Sequence, residues 1–66
     1  MGISYEPLKD TLKKKSLVIS ALREYGIHPR TIAKINKNES IPLEKIERIC
    51  IALQVPIEEV VRIKIK

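Results

Sequence analysis

The sequence predicts an all-α fold, a compact bundle of five short helices, with scope for a small two-stranded pairing of its tails. Two observations predict it. Apolar residues recur at helical spacing in successive short segments, as in Val18, Ala21, Leu22 and Tyr25 at i, i+3, i+4 and i+7. Turn formers separate those segments, with Pro7, Pro29, Pro42 and Pro56 at expected helix starts and Gly26 at an expected stop. With 66 residues the chain reads as one domain, residues 1–66, near the lower size limit for folding alone.

The elements follow in order. Pro7 precedes a first helix in which Leu8 and Leu12 face inward and Lys13, Lys14 and Lys15 suit the carboxyl end of the helix dipole. The second helix is expected over about residues 17–25, closed by Gly26 in the left-handed conformation. Ile19 falls off its apolar stripe, which makes it either part of a partner interface or an isolated surface residue. The third helix is expected over about 29–36, opened by Pro29, with Ile32 and Ile35 as a narrow inner stripe. Asn36 to Ser40 reads as a loop. Pro42 begins a fourth helix with Leu43, Ile46, Ile49, Cys50 and Leu53 on one face. Pro56 begins a short fifth, with Ile57, Val60 and Val61 inward and Glu58 and Glu59 outward. The tail from Arg62 to Lys66 alternates apolar and charged residues, as a half-buried strand does. Its partner is either Ile3–Tyr5 of the same chain or the same tail of a second chain.

Composition narrows the function. Cys50 is the only cysteine and His28 the only histidine, so an internal disulfide and a multi-cysteine zinc site are excluded, and no cofactor is expected. Cys50 itself reads as a small core residue. There is no apolar run of membrane-spanning length and no signal-peptide pattern, and the expected location is cytoplasmic. No nucleophile–base pair or glycine-rich phosphate loop is present, so the chain does not read as an enzyme, and no small-molecule ligand is evident. From Lys9 to Asn38 eight basic residues face two acidic ones, a balance of +6; from Glu39 to Val61 the balance is −3. A half of one sign suits a polyanion, although a solvated lysine-rich surface has the same composition.

The second and third segments together describe a helix-turn-helix, in which Gly26 lets two helices cross closely and leaves the polar face of the second free for a major groove. The chain resembles the phage-repressor and Cro type of helix-turn-helix regulator, the xenobiotic-response-element family. It is most similar to very short members of that family. The resemblance rests on Ile3-Ser4-Tyr5, Tyr25-Gly26-Ile27, Thr31-Ile32-Ala33-Lys34, Lys37-Asn38-Glu39, Leu43-Glu44, Ile49-Cys50 and Ala52-Leu53. It implies a DNA-binding transcriptional regulator. His28, Pro42 and Pro56 stand where the family usually has capping serines. Val18 and Ile19 stand where many members have glutamine, which leaves open the second-helix contact to phosphate; Ser20 is the candidate there.

On this reading Arg30 is the first candidate for reading a base, because arginine pairs with guanine in two-pronged fashion. Lys34, one turn on, meets base or phosphate, and Thr31 meets either DNA or its own backbone. Lys37 and Asn38 reach phosphate from the loop, with Asn36 beside them. Pro29 is included in this face but reads first as a helix starter, and His28 as a cap or surface residue. Lys13 to Lys15 either flank the DNA backbone or, the preferred reading, are solvated at a helix end, and Tyr25 reads as core or turn packing. The expected partner is double-stranded DNA, bound by a homodimer on a palindrome with half-sites about 34 Å apart. The alternative is a protein-interaction module in which Glu44, Glu47, Glu58 and Glu59 dominate.

Overall fold

A computed structural model describes residues 2–65. A strand β1 (Gly2–Ser4) leads into helix α1 (Glu6–Lys14), a 3-10 helix (Ile19–Tyr25), helix α2 (Pro29–Asn36) and helix α3 (Leu43–Leu53). A single 3-10 turn (Ile57–Glu59) and strand β2 (Arg62–Lys64) complete it. The bundle of five helices is thus corrected to three α-helices, one 3-10 helix and one 3-10 turn, joined by the small two-stranded pairing of the tails for which the sequence left scope.

The sheet answers the question left open by the tails. β1 and β2 pair antiparallel within the chain, with Gly2 opposite Lys64, Ile3 opposite Ile63 and Ser4 opposite Arg62. Lys66, the end of the expected strand, lies outside the described residues. Tyr5 enters the core from the junction of β1 and α1, Leu8 and Leu12 from α1, Leu22 from the 3-10 helix, Ile32 and Ile35 from α2, and Ile46, Ile49 and Leu53 from α3. Ile27, Ile41 and Val60 fill the gaps from the connections. Two buried hydroxyls are satisfied: Ser4 Oγ accepts from the Glu6 N–H, and Thr11 donates to the Glu59 carbonyl at 2.7 Å.

The changed geometry of the second segment moves its inner face. A 3-10 helix has three residues per turn, so i and i+3 stack in line. Ile19 and Leu22 therefore face the core, whereas Val18 is extended and exposed. Ile19 is thus packed against the core, not free for a partner, and Val18 leaves the expected stripe; Tyr25, in line with Ile19 and Leu22 but at the very end of the helix, is exposed. β-Branched Val18 and Ile19 with Ser20 give this short stretch poor α-helix propensity.

Two expectations for the later helices also change. Pro42 is the residue before α3, not its first, and Leu43 is exposed. The buried line is set by Ile46, Ile49 and Leu53, and at about 100° per residue Leu43 points roughly 85° away from its centre. The fifth segment keeps Val60 buried but leaves Ile57 exposed, at the start of the single 3-10 turn. Its acids divide, Glu58 exposed and Glu59 half-buried. α1 starts at Glu6, so Pro7 lies within its first turn, where no helical donor is lost.

Four helix ends share one closure. The N–H of Leu17 reaches the Leu12 carbonyl (2.8 Å), Ile27 reaches Leu22 (3.2 Å), Glu39 reaches Lys34 (2.9 Å) and Val55 reaches Cys50 (3.0 Å). Each bond spans a residue in the left-handed region: Ser16 (φ 57°), Gly26 (φ 88°), Asn38 (φ 56°) and Gln54 (φ 58°). Gly26 is needed for that conformation alone, since a Cβ there would meet nothing closer than Arg48 Nη1 at 3.9 Å.

Candidate nucleic-acid interface

The turn that presents α2 is built residue by residue. Gly26 reverses the chain, Ile27 anchors it in the core, and His28 is extended just before the helix. His28 Nδ1 accepts the Arg30 N–H at 3.0 Å, which makes the histidine a side-chain cap where serine or asparagine is commoner. The His28 carbonyl accepts the N–H groups of Thr31 (2.9 Å) and Ile32 (3.1 Å), and Pro29 has no N–H. Every donor of the first turn of α2 is thus used within the chain. A phosphate at this end would be held by side chains, not by free backbone donors.

Ile32 and Ile35 are buried and fix the rotation of α2. Arg30, Ala33, Lys34 and Lys37 are all exposed, and at i, i+3, i+4 and i+7 they share one face. The face is thus basic along its length with a small residue at its middle, which lets the helix backbone approach a surface closely. Among the described residues the one ion pair within 4.0 Å is Glu6–Arg62, so the cations of α2 carry no intramolecular countercharge.

Against this geometry one similarity is decisive: residues 7–64 match the family described as the Cro/C1-type HTH DNA-binding domain. The chain belongs to this family. The Cro/C1-type domain described above is similar to the crystal structure of the transcriptional regulator VanUg, Form II, with a TM-score of 0.91 and 27% identity. That similarity covers 98% of this chain and 88% of the other. No curated protein sequence matches the chain.

Within this Cro/C1-type domain the expected site residues are distributed as follows. Pro29, Arg30, Lys34, Asn36 and Lys37 are exposed on α2 or its end, and Thr31 is half-buried at its first turn. Asn38 is exposed, but its Oδ1 accepts the Tyr5 N–H at 3.2 Å, so one end of its amide is committed to the fold. Ser20 is exposed on the 3-10 helix, lining a shallow depression with Arg23 and Glu24. Arg23 was not singled out by sequence, nor was Ala33, although its i+3 spacing from Arg30 carries the signal. Lys9 of α1 was also missed as a neighbour of α2: with Lys13 it lines one groove with Val18, Ile19 and Asn36. Only the folded chain brings them there.

Cys50 is half-buried on α3, and burial pushes its thiol pKa up, which keeps it protonated and slow to react. Among the described residues no three His, Cys, Asp or Glu side chains are grouped to hold a metal ion, and no helix is long and apolar enough to cross a membrane.

Proposed function

We propose that this domain is a sequence-specific transcriptional regulator that lays α2 in the major groove and represses by occupying its operator as a homodimer. The observation that carries the reading is the basic face of α2, exposed from Arg30 to Lys37 and held rigidly from beneath by Ile32 and Ile35. Arg30 reads guanine, Lys34 meets base or phosphate, and Thr31 supports the first turn or meets the backbone of the duplex. Lys37, Asn36, Asn38 and Ser20 contact phosphate, with Pro29 at the margin. The similarity to the transcriptional regulator VanUg supports a regulatory role. The reading is of a regulator that works in the cytoplasm.

A dimer is part of the reading because one domain of this size makes few base contacts, and two related by a dyad fit a palindrome. The test is selection from a random duplex library with purified protein. A palindrome with half-sites about 34 Å apart supports the proposal in full. No enrichment by folded protein rejects it and leaves the second reading, a protein-interaction module. The observation favouring that alternative is the apolar groove between Leu43 and Ile57, edged by Glu44 and Glu47. Salt separates the two: DNA binding weakens with a log–log slope of about −0.9 per phosphate contacted.

A further inference from the structure

The outward face of α3 carries exposed apolar side chains among its charges. Leu43 is 68% exposed and Ile51 is 69% exposed. Tyr25, 43% exposed, lies beside Ile51 in a shallow groove that Glu44, Glu47 and Arg48 also line. Exposed apolar side chains gathered on one surface mark an interaction site more often than scattered ones do.

The charges on this face say what covers it. Glu44 and Arg48 are spaced i, i+4 and could pair along the helix, yet no ion pair within 4.0 Å involves them or Glu47 among the described residues. Both signs are therefore presented outward, side by side, on the same apolar strip. A strip of one sign would call for a partner of the other; a strip with adjacent opposite charges is complementary to itself turned end for end.

We propose that this strip is the homodimer interface, with two copies of α3 packed antiparallel about a two-fold axis between Glu47 and Arg48. That axis sets Glu47 level with Arg48 of the second copy, and makes the pairing twice. It also sets Ile51 level with Glu44 of the second copy, whose methylene stem it covers. Tyr25 closes the rim. The inference rests on the dimeric regulator proposed above and names the surface that reading lacks.

Charge reversal tests it by sedimentation equilibrium. Glu47→Arg alone and Arg48→Glu alone each set like charges across the axis and weaken self-association at least about tenfold. Mixed in equal amounts, the two variants recover wild-type association, because one then supplies only acid and the other only base. Ile51→Glu, shown folded by circular dichroism, yields a monomer that still binds a duplex carrying one half-site. Three results overturn the proposal: both reversals and Ile51→Glu dimerise like wild type, the mixture fails to associate, or wild type stays monomeric with and without a palindromic duplex. If Ile51→Glu is monomeric and wild type is dimeric but neither binds DNA, the interface stands and the DNA reading falls.

Discussion

The backbone N–H of Tyr5 is held by the side-chain carbonyl of Asn38, 33 residues further along the chain, at 3.2 Å. The bond is doubled next door, where the Tyr5 hydroxyl donates to the Glu39 carbonyl at 2.7 Å. Together they tie the start of α1 to the turn that ends the recognition helix. Asn38 therefore has two tasks at once, closing α2 in a left-handed conformation and receiving the N-terminal segment.

The two tasks separate by substitution. Asn38→Gly loses the side-chain acceptor but keeps an easy left-handed turn, and should cost about 1 kcal/mol. Asn38→Ala loses the acceptor and adds backbone strain, for about 2 kcal/mol in all. Urea denaturation of the two variants checks the order. Equal losses would mean that the left-handed conformation at this turn carries no strain.

Tyr5→Phe removes the hydroxyl that meets Glu39, and a loss of about 1 kcal/mol is expected at neutral pH. Burial also pushes the Tyr5 pKa up, although hydrogen bonding to the backbone opposes this. A raised folded-state pKa means that the unfolded chain gives up its proton first as the pH climbs. The contribution is complete below about pH 10, the pKa of a free tyrosine, and is lost as pH rises through the folded value. Stability measured from pH 8 upward should thus fall less steeply in Tyr5→Phe than in wild type, and an identical slope would contradict the assignment.

His28→Ala removes the cap on the Arg30 N–H and should cost about 1 kcal/mol, with faster amide exchange at Arg30 than elsewhere in α2. His28→Asn keeps an acceptor of similar reach and should restore most of the loss. If alanine and asparagine behave alike, the cap has no energetic role.

Gln54 closes α3 at φ 58° without the glycine that this conformation favours. Gln54→Gly should raise stability by about 0.5–1 kcal/mol, a direction opposite to that of most substitutions. Thermal unfolding reads it directly.

On DNA, Arg30→Ala should abolish sequence preference, with a discrimination loss of about 1–3 kcal/mol at the base it reads. Lys37→Ala should weaken all sequences alike and reduce the salt slope by about one phosphate's share, roughly 0.9. Competition titrations against specific and random duplexes distinguish the two effects. If both variants keep wild-type specificity, the recognition face has been misassigned.

The segments legible in the sequence were those whose ends carry strong local chemistry. Pro29 at the front of α2 and Gly26 before it left little choice about where that helix begins, and it spans Pro29–Asn36 as expected. The 3-10 helix was misread because Val18, Ala21, Leu22 and Tyr25 satisfy an α-helical period that the backbone does not adopt. Residues three apart lie close together at either period, so the short apolar spacings of this segment did not choose between them, although the two helices drift about 20° apart with each residue. Leu43 was misplaced for a related reason: an apolar residue at a helix start lies on the edge of the stripe, and one turn of helix gives it no inward partner. At the interface the α2 candidates were visible as polar residues on a short amphipathic helix. Lys9 was not, because its nearness to Asn36 at the end of that helix is a product of chain crossing. The bonds of Asn38 and Glu39 to Tyr5 join residues 33 and 34 apart, beyond any local pattern.

The fastening of α2 at both ends has a thermodynamic consequence. His28 fixes its first turn, and Asn38, itself bound to Tyr5, fixes its last. On the proposed reading α2 would therefore reach a groove already ordered, and its loss of conformational entropy would belong to folding instead of to association. Calorimetry of DNA binding should then show a heat-capacity change that matches the surface removed from water, without the excess that coupled folding adds. A reader of this kind tolerates little adjustment, so a mismatched operator is met by lost contacts and not by a reshaped helix.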